Sequence, residues 1–572
     1  SRRAGSGIGP AHSVEQHRLS LPPVFEMRNH HVAAVLLFLG TLVPALIMQR
    51  RAQLPSGLGR YPELLVLGVL GCLVVAMANG ANDIANSVGT SYGAGALSLR
   101  QAITLGAAAE FSGAMSLGSF VAKTISKGVI EPATFAADGC QGSLEYGLGM
   151  LCVLAGTGST TLLATLYGLP ISASHGVIGG LVAVGIFTHG AASLGQAPLV
   201  ATVVAWVASP LLGGLTAAIL HAVVRSTVHE TVDPAVSANR LQPPFVALTT
   251  AVAAAVLVVS GPKAIRVQPQ SLAVAASCAI GLLAALAVLV RRRLCPPSTA
   301  SITHQRHIDE HEMHELSSAG RLPPPARAVT ADAEEGVALC CAPCVVSSVE
   351  EEPEGGAVAA KGGESGGGGS AGGMEGAGAP GGAEPSSPAE ERPFVPLLVL
   401  SALTVSFAHG ANDLGNSIGP LAAILVVEQP GGDITREPVI PLWLLALGSC
   451  GFVLGIFLLG SRTIKTVGGK ITKLTPSRSF AVQLGTAVAV LSSTVLGLAV
   501  STSHCLVGAI IGVGLCDRLR GSVDGELNGA MILKIIIGWA VTIPLAMLVT
   551  VLAYAALLPA YEPDPVCNGA PP

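Results

Sequence analysis

The chain has 572 residues, of which 12% are Asp, Glu, Lys or Arg and 50% are hydrophobic, with a mean hydropathy of +0.63. Soluble globular proteins carry about 25% charged residues, so this composition excludes a string of soluble domains and points to a polytopic membrane protein whose apolar outside is covered by lipid. A formal net charge of −4 supplies no basic face for nucleic acid, and the 12 Cys residues lack the repeated spacing of a disulfide or zinc framework.

In chain order, residues 1–60 form an N-terminal segment in which 32–48 read as an extra span or part of a targeting segment. The chain begins with Ser rather than Met, so the native N-terminus is expected upstream. A first membrane repeat covers 61–293, with apolar stretches near 62–81, 102–122, 145–166, 170–188, 198–224, 244–260 and 271–290. The triplet Arg291-Arg292-Arg293 closes it, and the positive-inside rule puts the central loop after it in the cytoplasm. Residues 294–392 hold 16 acidic and 5 basic side chains and Gly-rich runs such as 362–373. Such a segment buries too little apolar surface to offset its ordering entropy, and it reads as a mostly disordered acidic loop. The second membrane repeat covers 393–560, with stretches near 394–410, 415–427, 440–460, 480–500, 503–515 and 531–558, and 561–572 form a tail. A crossing helix needs about 20 residues, so 415–427 and 503–515 are predicted to be half-helices or re-entrant segments.

The two apolar halves repeat one another. Residues 79–89 read N-G-A-N-D-I-A-N-S-V-G and 409–419 read H-G-A-N-D-L-G-N-S-I-G, identical at seven of eleven positions. Residues 168–185 read G-L-P-I-S-A-S-H-G-V-I-G-G-L-V-A-V-G and 497–514 read G-L-A-V-S-T-S-H-C-L-V-G-A-I-I-G-V-G. Asp83 precedes His175 by 92 residues, and Asp413 precedes His504 by 91. Two motifs recurring in order at matched spacing mark structural repeats, the common plan of secondary transporters.

The chemistry of the first motif is anionic. An ionised Asp at mid-membrane costs about 2.5–3.5 kcal/mol on insertion scales. The flanking glycines permit an unwound backbone, and carbonyls with Asp, Asn and Ser oxygens would then suit a small hard cation such as Na⁺. The plainer reading is that Asn and Asp cap half-helices. In the second motif Ser172, Ser174, Ser501, Thr502 and Ser503 precede new apolar runs, where hydroxyls signal helix N-termini. Paired N-termini offer N–H groups to an oxyanion, although each hydroxyl can equally cap its own helix. His175 and His504 either donate to such an anion or serve as structural residues.

These duplicated motifs, G-A-N-D-x-x-N-S-x-G and G-L-P-x-S-x-S-H-x-x-x-G, resemble those of the inorganic phosphate transporter family, the PiT-type sodium–phosphate symporters. The resemblance covers 62–224 and 394–558, and K-T-I-S-K-G (123–128) and L-T-P-S-R-S-F (474–480) also look like family segments. It implies an all-α polytopic membrane protein of about 10–12 transmembrane helices, built as two inverted repeats with discontinuous helices and re-entrant hairpins. It implies cation-coupled symport of inorganic phosphate, with sodium as the coupling ion, alternating access by an elevator-like movement, and a homodimer. Carried over residue by residue, phosphate falls to Asn82, Asp83, Ser172, Ser174, Asn412, Asp413, Ser501, Thr502 and Ser503. Sodium falls to Asn82, Asp83, Asn86, Asn412, Asp413 and Asn416, and Glu110 matches an acidic position tied to coupling. No cofactor beyond the transported sodium is implied. The expected location is a multi-pass position in the plasma membrane, with the plastid envelope as the second choice. Two departures stand out: Gln483 where the family often has Glu, and Ala173 where a hydroxyl is usual. They leave coupling stoichiometry and proton coupling open beside sodium, and because some relatives are associated with sulfate, that anion stays open beside phosphate.

Other features carry less. His304, His307, His311 and His314 fall at helical spacing, and Cys340, Cys341 and Cys344 cluster, but a solvated helix and a plain surface cluster explain them. Lys123, Lys127, Lys465 and Lys470 read as snorkelling residues at span ends. A phosphate sensor signalling through the acidic loop is the rival class, disfavoured because both motif copies are intact. No nucleophile–base pairing or Walker-type loop appears, so an enzyme is not expected. Deleting residues 300–388 should leave transport largely intact in an uptake assay. Loss of uptake by a correctly inserted deletion protein would overturn the passive-linker reading.

Overall fold

The computed structural model describes residues 61–261, 265–294, 388–429, 433–467, 475–521 and 529–560. The 32–48 stretch, most of the acidic loop and its His and Cys clusters lie outside them. Apart from one isolated bridge between Ile130 and Leu194, the described regular structure is helical. In lipid every backbone polar group must be satisfied inside the protein, and a helix does this segment by segment. Among the described residues nine helical stretches are long and apolar enough to cross a membrane, and Ala173–His189 is a shorter apolar helix. The chain is a multi-pass integral membrane protein.

The first half opens with α1 (Pro62–Gly93), started by a Pro whose missing N–H costs nothing at N1. Next comes α2 (Leu99–Leu117), whose Ser98–Gln101 capping box satisfies two orphan donors. Short helices α3 (Ser119–Lys127) and α4 (Pro132–Ala136) lead into a hairpin of α5 (Gly139–Leu166) and α6 (Ala173–His189). Then α7 (Gln196–Val224) runs into a π turn over Arg225–His229, and α8 (Pro234–Ser260) pairs with α9 (Gln270–Leu294). The second half holds α10 (Phe394–Asp413), α11 (Gly415–Val427) and α12 (Leu442–Val467). A second hairpin is made of α13 (Pro476–Val495) and α14 (Thr502–Leu519), and α15 (Gly529–Leu557) closes the bundle. At the base of the first hairpin His189 Nε2 lies 2.9 Å from Asp138, and at the base of the second Arg478 donates to Asp517 at 2.6 Å. Lys127 and Lys123 meet the loop ahead of α12, through the carbonyl of Thr435 and the carboxylate of Glu437.

Two expectations are corrected. The first Gly-Ala-Asn-Asp motif does not unwind: Asn79 to Ser91 all lie within continuous α1. The stretch 415–427 is not an independent half-helix. α11 continues α10 through Leu414, whose backbone stays helical, and together they make a 34-residue span. Pro420, one turn inside α11, has no N–H to donate to the carbonyl of Asn416.

The motif glycines serve close helix crossings instead. A Cβ on Gly80 would lie 2.6 Å from the Phe452 carbonyl oxygen, and one on Gly410 would overlap that of Glu110. Gly455 meets the Met77 carbonyl and Gly113 meets the Phe407 carbonyl in the same way. So α1 of the first half crosses α12 of the second, and α10 of the second crosses α2 of the first, at matching backbone contacts. The hairpins are exchanged likewise: α5 and α6 pack on α15, whereas α13 and α14 pack on α7.

This geometry fixes a stability prediction. Gly113→Ala forces its methyl into the Phe407 carbonyl and should cost about 1–3 kcal/mol, the scale of an overpacked core. A lowered melting temperature of the purified protein reports it. Gly529→Ala, with open space around its Cβ, should show no loss.

Candidate functional site

The hairpin tips are stretches of non-helical backbone within the bundle, and one Asn from each repeat holds each of them. Asn82 donates through Nδ2 to Thr165 Oγ1 at 3.2 Å and to the Leu169 carbonyl at 2.9 Å, and its Oδ1 accepts the Ile171 N–H at 3.1 Å. Asn412 repeats this with Thr494 Oγ1, the Leu498 carbonyl and the Val500 N–H, at 3.0, 3.0 and 3.3 Å. Both amide hydrogens of each Asn are spent. Asn82 and Asn412, expected as ligands of phosphate and sodium, are occupied as braces of the tips.

The braced tips cross to the opposite half. Asn86 of α1 donates to Ser503 Oγ at 2.7 Å, and Asn416 of α11 donates to Ser174 Oγ at 3.1 Å. Ser174 also donates to the Val500 carbonyl at 3.0 Å. Ser172 and Ser501 cap α6 and α14 by accepting the N–H of His175 and His504, each at 3.3 Å. Thr502 is buried and its hydroxyl has no partner, as have Asp413 Oδ1 and Asn416 Oδ1. Ala173 occupies the same first-turn position of α6 as Thr502 in α14, so the hydroxyl donors of the two tips are unequal. All these side chains are buried. The site therefore combines two opposed helix N-termini, four hydroxyls that can still turn a proton outward, and carboxylates from both repeats.

His175 and His504 do not project from the tips as isolated donors. Their rings meet edge to face with centroids 4.5 Å apart, and they rest on Trp206 and Trp539 respectively. Gln483 stands aside from the site, donating to the Ser87 carbonyl at 2.8 Å and to Thr90 Oγ1, and so bracing α1.

One central residue was missed by sequence reasoning. His409 is fully buried, with Nε2 3.5 Å from Asp83 Oδ2 and 3.4 Å from Asp413 Oδ2, and Nδ1 3.1 Å from Glu110 Oε2. Among the described residues it is the one cationic-type side chain within ion-pair distance of these three carboxylates. Asn86 donates to Asp83 Oδ1 at 3.0 Å. The signal was present: His409 stands where the first copy of the motif has Asn79. Glu110 likewise has no acidic counterpart, because Phe452 takes the matching place over Gly80. The repeat breaks its own symmetry with an acid–base pair, and Phe452 stacks on the His409 ring at 5.7 Å.

Comparison with known proteins bears on this arrangement. Residues 79–550 match the phosphate transporter family. The chain is 31% identical over 475 residues to "Inorganic phosphate transporter 2-1, chloroplastic" of Arabidopsis thaliana, covering 83% of this chain and 68% of that one. A solved structure titled "The sodium-dependent phosphate transporter" is similar with a TM-score of 0.63 and 27% identity, over 86% of this chain and 99% of that one. The matched span runs from the first Asn-Asp motif through both hairpins into α15, so it contains every residue that converges on the buried centre: the chain belongs to the phosphate transporter family.

Proposed function

We propose that this chain is a sodium-coupled symporter of inorganic phosphate that works by alternating access. The observation that carries the reading is the convergence of both hairpin tips on both Asn-Asp motifs, each tip bonded to the opposite half through Asn86–Ser503 and Asn416–Ser174. A tetrahedral oxyanion between the tips meets hydroxyls of Ser172, Ser501, Thr502 and Ser503 and the free N–H groups of two helix starts. Such donors accept phosphate and sulfate alike. Phosphate differs in keeping a proton, and Asp83 or Asp413 supplies an acceptor for it.

The carboxylates give the coupling cation its oxygens. Asp83, Asp413 and Asn416 Oδ1 offer oxygens to the cation, with Asn86 orienting Asp83 and Glu110 on the far side of His409. Sodium is a hard cation and takes oxygen rather than imidazole nitrogen, which assigns His409 no place among its ligands. Two Na⁺ with a divalent phosphate move no net charge. With a monovalent phosphate one positive charge enters, gaining about 2.3 kcal/mol per 100 mV. The matched contacts of the two halves support an inverted-repeat transporter in which the tips and the Asn-Asp motifs open alternately to each side. A homodimer is proposed on the family resemblance alone.

Phosphate uptake into proteoliposomes, with Na⁺ and H⁺ gradients imposed separately and sulfate as competitor, tests the whole reading. Uptake should rise sigmoidally with external Na⁺. Full uptake driven by a proton gradient in Na⁺-free buffer would reassign the coupling ion.

Substitution tests the site. Asp83→Asn and Asp413→Asn keep size but remove charge, and each should nearly abolish Na⁺-driven uptake while the protein still reaches the membrane. The double variant should be little worse than either single one, since both carboxylates serve one cycle. The control is Asp433→Asn. Asp433 lies in a loop before α12, where the Thr435 hydroxyl and N–H hold its carboxyl below the usual range, and its loss should be close to neutral. Normal uptake by either single variant removes that Asp from the site.

A further inference from the structure

The central cluster carries more than the sodium reading uses. Asp83, His409 and Asp413 each present one ligand atom, the three atoms lie within 4.8 Å of one another, and all three residues are buried. The imidazole nitrogen stands 3.5 and 3.4 Å from the two carboxylate oxygens. Charge-assisted N–H···O⁻ bonds are about 2.7–2.9 Å long, so these separations are longer than a tight ion-pair hydrogen bond. They do match the ligand–ligand edge of a tetrahedral site, which is about 3.4 Å for metal–ligand bonds near 2.1 Å.

The surroundings fit the same geometry. His409 has its other nitrogen 3.1 Å from Glu110 Oε2, close enough for the carboxylate to orient the ring and select its tautomer as carboxylates do in metal sites. Asp83 Oδ1 accepts from Asn86, so a carboxylate in the ligand set is itself held. Phe452 covers one face of the imidazole. Nitrogen and oxygen donors together suit a borderline divalent ion rather than a hard monovalent one. The mirror position cannot form a second such site, because Asn79 and Phe452 stand where His409 and Glu110 would be needed.

We propose that Asp83, His409 and Asp413 form a binding site for a divalent transition-metal ion of the Zn²⁺ or Co²⁺ type, with Glu110 orienting the histidine. Three protein ligands leave a coordination position open. An ion there occupies both carboxylates assigned above to sodium, so zinc excludes sodium from the centre and acts as an inhibitor.

Equilibrium dialysis of Co²⁺ and Zn²⁺ against the purified full chain tests this, together with zinc X-ray absorption at one equivalent. The wild-type chain should hold the first zinc through one imidazole and oxygen ligands. His409→Asn, which installs the first-repeat residue, should weaken binding at least about tenfold, and Glu110→Gln should weaken it by about 10–100-fold. Unchanged affinity in His409→Asn overturns the site. So does a wild-type spectrum showing sulfur or several imidazoles, a result that needs no variant to fold. The metal site does not need the sodium reading, whereas inhibition by zinc rests on it. Proteoliposomes silent to Na⁺ with the metal site intact would count against the transport proposal alone.

Discussion

The structure depends on how it satisfies backbone polar groups where the helices stop inside the bundle. Between α5 and α6, and again between α13 and α14, the chain leaves helical backbone and turns inward, with Ile171, Ser172, Ala499 and Val500 buried, where an orphan N–H or C=O costs several kcal/mol. One side-chain amide per repeat resolves this by acting as a local substitute for the missing helical turn. Asn82 and Asn412 each donate to a carbonyl on one side of the tip and accept an N–H on the other. A carboxylate could not do both, because it has no donor. The requirement explains why Asn directly precedes Asp in both motifs: one residue holds the tip, and its neighbour turns to the centre the tip helps to enclose.

Much of this was legible in the sequence. Duplicated motifs at matched spacing gave the repeats, the pairing of an acidic motif with a hydroxyl-rich one gave a buried polar centre, and hydroxyls ahead of apolar runs located the starts of the second hairpin helices, α6 and α14. Backbone conformation was harder to read. Glycine beside Asn-Asp is compatible with an unwound segment or with a close crossing. The choice depends on whether a second helix lies against it, as Phe452 lies against Gly80 and Glu110 against Gly410. The length of 415–427 misled for a related reason: Gly415 looks like a break, yet Leu414 keeps helical backbone and the span continues.

His409 was not legible from the positions that the two copies share. Its importance lies in a difference, Asn79 against His409, and its partner Glu110 sits on another helix with no counterpart in the repeat. Pseudo-symmetry provides two similar half-sites, and departures from it make them chemically unequal. Ala173 against Thr502 is a second departure, placing an extra hydroxyl at one tip only. Three carboxylates around one imidazole cannot all stay ionised and uncompensated in a buried centre, so this asymmetry ties the centre's charge balance to protons or bound cations.

The exchanged packing of the halves also bears on how the protein is made. Synthesis is vectorial, and each half emerges with surfaces that only the other can cover. α1 waits for α12, α2 waits for α10, and the first hairpin waits for α15, the last described helix. During that interval Asp83 and Glu110 have no imidazole beside them, and Asn82 braces a tip that lacks its opposing Asn416. The nascent first half therefore keeps these surfaces uncovered until the second half arrives, and covalent linkage makes their docking an intramolecular search. Assembly and the buried centre thus draw on one set of contacts: those across which the halves first recognise each other are those that bring the two Asn-Asp motifs and the two hairpin tips together.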